Sequence, residues 1–343
     1  MKKVDLQTRT LYAELLEQLQ ILDASRTIAA LQGSWARKEL SGEVYLYFQH
    51  YLPGGKLHQI YVGKLNEQTE ALLQEHEDGR IETQAMLDNI RRLTRQVVAG
   101  SGVITDPAMA RVISSMADAG VFRHGGVLVG THAYIAMSIM MGAVWAGHSM
   151  ATTDIDLAAN RHVAVAVPQV TADIPAAIDS LKMGFYPVPA MSLKQPSTTF
   201  AVRKSRLRLD IITPKTMGSD APVFIKRFNC AAQPLSYLGF LIEKPIPAVI
   251  LAADPILVTV PQPVRYALHK LIVSQLRDVS RSAKKEKDLL QAHQLLTILG
   301  EERPDEVAEV WESILVRGPK WKKVAEAGKN ELLRRHPDTP FPM

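Results

Sequence analysis

Cysteine is nearly missing from this chain: Cys230 is the only one in 343 residues. One thiol can neither close an internal disulfide nor build a cysteine-based zinc site, so both staples are excluded, and a reducing cytoplasm is the expected compartment. Long apolar runs are missing too. The most apolar window, Ala133 to Ala146, is about 14 residues, short of the roughly 20 that span a bilayer. It reads as a buried helix, and no membrane partner is expected. The first residues, MKKVDLQTRT, meet an acid at Asp5 before any apolar core forms, so no signal peptide is expected there. Charge of one sign is not abundant: Lys plus Arg number 40 against 35 acids, a net +5. That balance permits a nucleotide or nucleic-acid partner without demanding one. Apolar residues, at 47%, suffice for a packed core, and the length allows two or three domains.

What the chain does have is periodicity. Residues 6–32 place Tyr12, Leu15, Leu16, Leu19, Leu22, Ile28 and Leu31 at helical spacing, with Gly33-Ser34 as the stop. A hairpin signal follows: Val44 to Leu52, the turn Pro53-Gly54-Gly55, then Lys56 to Val62. Alternation puts Tyr45, Tyr47 and Tyr51 on one face and Val44, Leu46 and Phe48 on the other, bordered by Lys38, Lys56, His58 and Lys64. Such a face either stacks on nucleotides or forms the rim of a small packed hairpin. Residues 67–98 read as a charged helix broken at Gly79, Gly100-Ser101-Gly102 as a linker, and residues 107–120 as a helix opening with Pro107. Later strands are expected at His162–Val167, Phe200–Arg203, Leu207–Ile212, Ala248–Ala252 and Ile256–Val260. Later helices are expected at 174–181, 264–277, 284–299 closed by Gly300, 304–316 and around Trp321. Strands interleaved with helices predict an α+β fold with a mixed sheet flanked by helices. The expected parts are an N-terminal helix and β-hairpin region over 1–100, a core over 105–214, and a mainly helical C-terminal domain over 215–343.

The chemistry concentrates between Gly125 and Ala158. Val127 to Val129 is a short apolar run ending in Gly130-Thr131, where a long apolar helix pattern begins. At such a helix start, unpaired N–H groups and the helix dipole favour a phosphate. Glycine lets the backbone come close to a ligand, and Thr131 adds a hydroxyl. Asp154 and Asp156 stand two apart in a strand-like run and so share a face. Like charges that close repel unless a cation lies between them, and hard oxygen ligands suit Mg²⁺ or Mn²⁺. Asp210, inside Leu207–Ile212, can bring a third carboxylate from a neighbouring strand. Arg206 and Arg208 share its face, as candidate contacts for triphosphate oxygens or an RNA backbone. Taken singly, each feature also fits a plain turn or a polar strand face; the order of the pieces carries the reading. His132, beside the turn, reads as a capping or core residue rather than a base.

In that order the chain resembles the DNA polymerase β-like nucleotidyltransferase superfamily, whose pattern is an apolar residue, Gly, and Ser or Gly before a helix, then Asp-x-Asp, then a third Asp. Thr131 stands where Ser or Gly is commoner and keeps the hydroxyl, while the stretch from Gly130 to Asp154 is longer than in the compact form. The chain is most similar to the bacterial branch of AbiEii-type abortive-infection toxins, in which a Lys, six residues, and an Arg or Lys precede a further Asp. Lys270, Arg277 and Asp288 follow that pattern.

The resemblance covers residues 105–300 and implies a metal-dependent enzyme that moves an NMP from an NTP to an acceptor hydroxyl. Asp154, Asp156 and Asp210 would be catalytic and would hold Mg²⁺ or Mn²⁺. Gly130, Thr131, Lys270, Arg277 and Asp288 would bind the nucleotide, Asp288 acting as a base, as the partner of Lys270 or as a helix N-terminal charge. RNA, for instance a tRNA end, is the implied acceptor, with a toxin or defence role and an antitoxin or other protein partner. A protein hydroxyl or a small molecule would use the same metal site. A binding module that kept the fold and lost the chemistry is the non-enzymatic alternative.

Overall fold

A two-residue strand β1 (Lys2–Lys3) leads into α1 (Leu6–Ala24), which buries Tyr12, Leu15 and Leu19. Three antiparallel strands follow: β2 (Ser34–Leu40), β3 (Glu43–Tyr51) and β4 (Leu57–Lys64). The computed structural model describes residues 1–24, 33–40, 42–51, 57–145, 150, 152–159, 172–190, 195–216, 219–278 and 282–341. The expected turn at 53–55, the expected strand at 162–167, and Ile28 and Leu31 lie outside them. On the small sheet Leu46 and Phe48 are buried, while the rings of Tyr45 and Tyr47 lie 6.2 and 5.4 Å from that of Tyr61. β2 adds to the expected hairpin. Its sequence, SWARKEL, has too little apolar density for the strand signal to stand out.

α2 (Glu67–Ala99) runs unbroken through Gly79, which corrects the break expected there. Glycine inside a helix costs only about 1 kcal/mol against alanine. An Asn66–Thr69 capping box and the burial of Ile90, Leu93 and Val97 outweigh it. α3 (Pro107–Asp118) opens on Pro107 and is capped by Asp106, whose carboxylate accepts from the Ala108 N–H at 2.9 Å. Then come β5 (Gly126–Val129), α4 (Gly130–Met140), β6 (Ala143–Val144), β7 (Asp154–Ala159) and α5 (Ile174–Ser180). β8 (Phe185–Pro187), β9 (Thr199–Val202) and β10 (Arg208–Pro214) follow. The sheet continues past Pro214 with β11 (Val223–Ile225) and β12 (Cys230–Leu235). A one-turn α6 (Leu238–Leu241) precedes the hairpin of β13 (Ile246–Ile250) and β14 (Ile256–Val260). The chain then turns helical, with α7 (Pro263–Ser274), α8 (Ser282–Glu302), α9 (Pro304–Leu315) and α10 (Pro319–Arg335).

The main sheet is mixed, in the order β11-β12-β10-β7-β5, with β9 against the first half of β10 and β8 beyond it. β7 and β10 are parallel with Asp156 opposite Asp210, and β5 is antiparallel to β7 with Val129 opposite Asp156. Helices flank this sheet, so the fold is the α+β arrangement of a mixed sheet with helices packed on it. One buried cluster joins the sheet, α4 and the C-terminal helices, from Met109 through Leu157, Leu209 and Tyr266 to Leu332. The apolar window is indeed buried: Ala133, Tyr134, Ala136, Met137 and Ile139 all lose water contact. A second cluster packs α1 and α2 on Ile139, Val249 and Leu251. Gly300 lies inside α8 rather than closing it. A side chain there would run into Pro340, 2.8 Å from its Cβ, so the glycine makes room for the returning tail.

Candidate functional site

β5 delivers the chain to Gly130 with φ +64°, a conformation that favours glycine. A β-carbon on Gly130 would also overlap the Asp156 carboxylate, so the turn and the acid of the next strand touch directly. α4 begins at once, and its N-cap residue Val129 makes no side-chain cap hydrogen bond; a helix start of this kind favours an anion. Tyr266 of α7 donates its hydroxyl to the Gly130 carbonyl at 2.8 Å and lies 3.1 Å from Gln291 Oε1 of α8. Lys287 of α8 donates to Thr131 Oγ1 at 2.9 Å. The turn is thereby clamped by two helices far away in sequence.

The β7–β10 register sets the acids. Asp154 and Asp156 share one face of β7, and Asp210 stands beside Asp156 on the same side. Burial, then the Asp210 charge, pushes the Asp156 carboxyl up to about 6. Asp210 is oriented by Thr199 of β9, which donates to Oδ1 at 2.5 Å. On the opposite wall Asp288 of α8 is buried between two cations. It accepts from Lys270 Nζ at 2.7 Å and from Arg277 Nε at 3.0 Å. Burial alone would raise its carboxyl, but Lys270 and then Arg277 hold it below the ordinary carboxylate value. Of the roles open to Asp288, partner of Lys270 is the one the geometry supports, and Arg277 shares it. Lys270 also lies 5.2 Å over the Tyr266 ring.

Gly130, Thr131, Asp154, Asp156, Asp210, Lys270, Arg277 and Asp288 all line one cleft of about 600 Å³. Arg206 and Arg208, expected as phosphate contacts, are exposed and do not line it. His132 is buried, and burial, then Lys287, pushes its imidazole down to about 4, so it is a neutral core residue. Sequence reasoning passed over Thr199, Tyr266, Lys284 and Lys287. The last two had a signal: Lys284, Lys287 and Asp288 fall three and four residues apart in AKKEKD, one face of a helix, and both lysines line the cleft.

A family model described as Nucleotidyltransferase matches residues 108–316, more than half of the chain. The chain belongs to the nucleotidyltransferase family. Every residue of the cleft wall named above falls within that match. Among solved structures the chain is similar to an antigenic nucleotidyltransferase-like protein from Paracoccidioides brasiliensis, at 13% identity and a TM-score of 0.32, over 66% of this chain and 95% of that one. No curated protein matches. Among the described residues no helix is long and apolar enough to cross a membrane.

Proposed function

We propose that this nucleotidyltransferase cleft moves a nucleoside monophosphate from an NTP to an acceptor hydroxyl. The observation that carries the reading is convergence. Three aspartates from β7 and β10 face a wall of cations from α7 and α8 across one cleft, with an uncapped helix start between them. The donor set suits Mg²⁺ or Mn²⁺: Asp154, Asp156 and Asp210 offer hard oxygens, and Asp156 is raised by burial and then by the Asp210 charge, a repulsion that a cation would relieve. Among the described residues no three acids, histidines or cysteines already close on one point, so part of the coordination would come from substrate phosphate and water. When bound, the cation would neutralise phosphate charge and lower the pKa of the acceptor hydroxyl.

The chain's own residues do the rest. Gly130, Thr131 and the α4 N–H groups grip the triphosphate, and Lys270, Arg277 and Lys287 face its oxygens. The acceptor oxygen attacks the α-phosphorus in line, the bond to the pyrophosphate oxygen breaks, and pyrophosphate leaves with the electron pair. Asp210, oriented by Thr199, takes the acceptor's proton. Positioning and charge stabilisation suffice for such chemistry, with no covalent nucleophile.

For the acceptor we infer RNA. This rests on the AbiEii-type resemblance and, secondarily, on the tyrosine face of the N-terminal sheet, where Lys38 lies 4.7 Å over the Tyr47 ring. A toxin or defence role, with an antitoxin as partner, is part of the same inference. The test is label transfer. The protein is incubated with Mg²⁺ and each α-³²P NTP, then offered total RNA or cell protein, with Asp156→Ala as control. Label on RNA that disappears in the variant is the expected result. Label on protein would keep the chemistry and reject the RNA acceptor, and transfer that survives Asp156→Ala would reject the site.

A further inference from the structure

The turn between β9 and β10, residues 203–207, lies outside the cleft but on the same face of the sheet as its acids. Asp156 pairs with Asp210 and Asp210 with Thr199, so those three side chains stand in one row across the strands. The next row runs from Asp154 through Arg208 and Ala201 to Tyr186 of β8. Arg203 continues β9 just past that row, and its guanidinium lies 5.8 Å over the Tyr186 ring. Tyr186 is thus three strands from Asp154, roughly 15 Å at the usual strand spacing.

The charge of this edge is one-sided. Residues 180–209 hold six bases and no acid, in a chain whose bases and acids number 40 and 35. Arg203, Lys204, Arg206 and Arg208 are all exposed, and none has an ion-pair partner among the described residues. The bases of the helical wall differ: Asp288 holds Lys270 and Arg277, and Glu331 holds Lys285. Exposed cations crowded on one turn repel one another and attract a polyanion. The Arg203–Tyr186 pair adds a flat cationic platform, with Tyr186 still 37% exposed, on which a base can stack. A duplex keeps its ring faces inside its own stack, so the fit is to a single strand.

Position decides which anion this edge takes. Gly130 follows β5 on one side of the acids, and β9 and β8 lie on the other. A triphosphate gripped at Gly130 and faced by the α7 and α8 bases is therefore across the acids from Arg203, Arg206 and Arg208. We propose that the β8–β9–β10 edge is the acceptor track. A single-stranded RNA crosses it with phosphates against the three arginines, one base on Tyr186 and its acceptor hydroxyl at Asp210. The inference rests on the nucleotidyltransfer reading and deepens it, because it gives the acceptor a surface of its own. Of the two contacts open to Arg206 and Arg208, it selects the RNA backbone over triphosphate oxygens.

The experiment separates acceptor from nucleotide. Binding of a fluorescein-labelled single-stranded oligoribonucleotide of mixed sequence is followed by anisotropy on the full chain over a series of salt concentrations. Each NTP, with Mg²⁺, is titrated in parallel by calorimetry. Wild type is compared with Tyr186→Ala and with Arg203→Gln, Arg206→Gln and Arg208→Gln combined; all four positions are exposed, and melting curves verify the fold. The triple variant should bind RNA about tenfold or more weakly, and its slope of log K against log salt should be shallower by about 2, three phosphates at about 0.7 each. Tyr186→Ala should also weaken RNA binding by about tenfold, through the lost stack, but with the slope of wild type. Both variants should bind NTP within about twofold of wild type. RNA binding and slope unchanged in the triple variant would overturn the proposal. An equal loss of NTP binding would overturn it too, since the arginines would then be holding triphosphate. So would a wild type that labels protein in the transfer assay and binds no RNA. RNA held by these residues in a wild type that binds no NTP would overturn the nucleotidyltransfer reading and the acceptor role with it, and the surviving salt slope tells that failure from the others.

Discussion

The two acidic sites on either side of the cleft are built on opposite principles. Asp288 is one carboxylate between two cations, 2.7 Å from Lys270 and 3.0 Å from Arg277, and its charge is settled within the protein. The β7–β10 face puts Asp156 beside Asp210 and Asp154, and burial with that company drives Asp156 up to about 6. A buried pair with its partners stabilises an arrangement; a cluster of like charges leaves an arrangement that an incoming cation completes. Under the proposed function, the first wall would hold its bases in place for an anion and the second would take a cation, and a metal–triphosphate complex would satisfy both.

Five substitutions break or sharpen that contrast. The largest effect belongs to Asp156→Asn. Transfer activity should fall by about a thousandfold or more, measured as label transfer under saturating NTP. The same change should stabilise the metal-free protein. A carboxyl whose folded value lies above its unfolded one contributes stability that is lost as pH rises from 3.8 through about 6. Above pH 6 the asparagine variant should therefore be more stable by about 3 kcal/mol, and below pH 4 the two should melt alike.

Asp288→Asn should act in the opposite sense. It leaves Lys270 and Arg277 without their shared carboxylate and should cost about 3 kcal/mol of stability at pH 7, read from denaturant melts. If it melted like wild type, the account of the cation wall would be wrong. Lys287→Met removes the ammonium that holds Thr131 Oγ1. It should raise the KM for NTP by about tenfold with a smaller change in kcat, the loss of one charged hydrogen bond. Combining it with Thr131→Ala should add little, since both act at one contact.

The smallest effect tests whether a cation-held carboxylate at the periphery behaves like Asp288. Glu331 of α10 accepts from Lys285 and Gln275, and is depressed to about 2: burial opposes the shift, while Lys285, then Gln275 and Arg335, more than offset it. A lowered carboxyl contributes stability above pH 4.5 that disappears as pH falls through about 2. Glu331→Gln should cost about 1 kcal/mol at neutral pH, after allowance for solvent screening, and nothing near pH 2.

The strands that lead to the turn and carry the acids were readable because each is short, apolar and punctuated: GVLV before Gly130, DIDLAA, and RLDIITP. Their register was not readable. That Asp210 pairs with Asp156 rather than with a neighbour depends on how β10 slides along β7, and nothing local in either strand sets it. Lys270 and Arg277 look like ordinary solvated residues by spacing; the family resemblance singles them out with Asp288, but that Asp288 is held by both depends on how α7 and α8 pack together. The clamp on the turn is harder still, because Tyr266 reads as core and Lys287 as one of a run of surface bases. Gly79 and Gly300 misled in the same way. Local propensity marks a break, but packing along α2 and α8 contributes more than the roughly 1 kcal/mol a glycine costs.

The most direct test of the central claim is NTP binding with and without a divalent cation. Wild type, Asp154→Asn and Asp156→Asn would be titrated with NTP in Mg²⁺ and again in EDTA. The account predicts binding in wild type that requires Mg²⁺ and is lost in both variants, with all three proteins folded. Binding of equal strength in EDTA, or retained by the variants, would contradict it, because the cation wall alone would then be holding the nucleotide and the aspartate face would have no part in it.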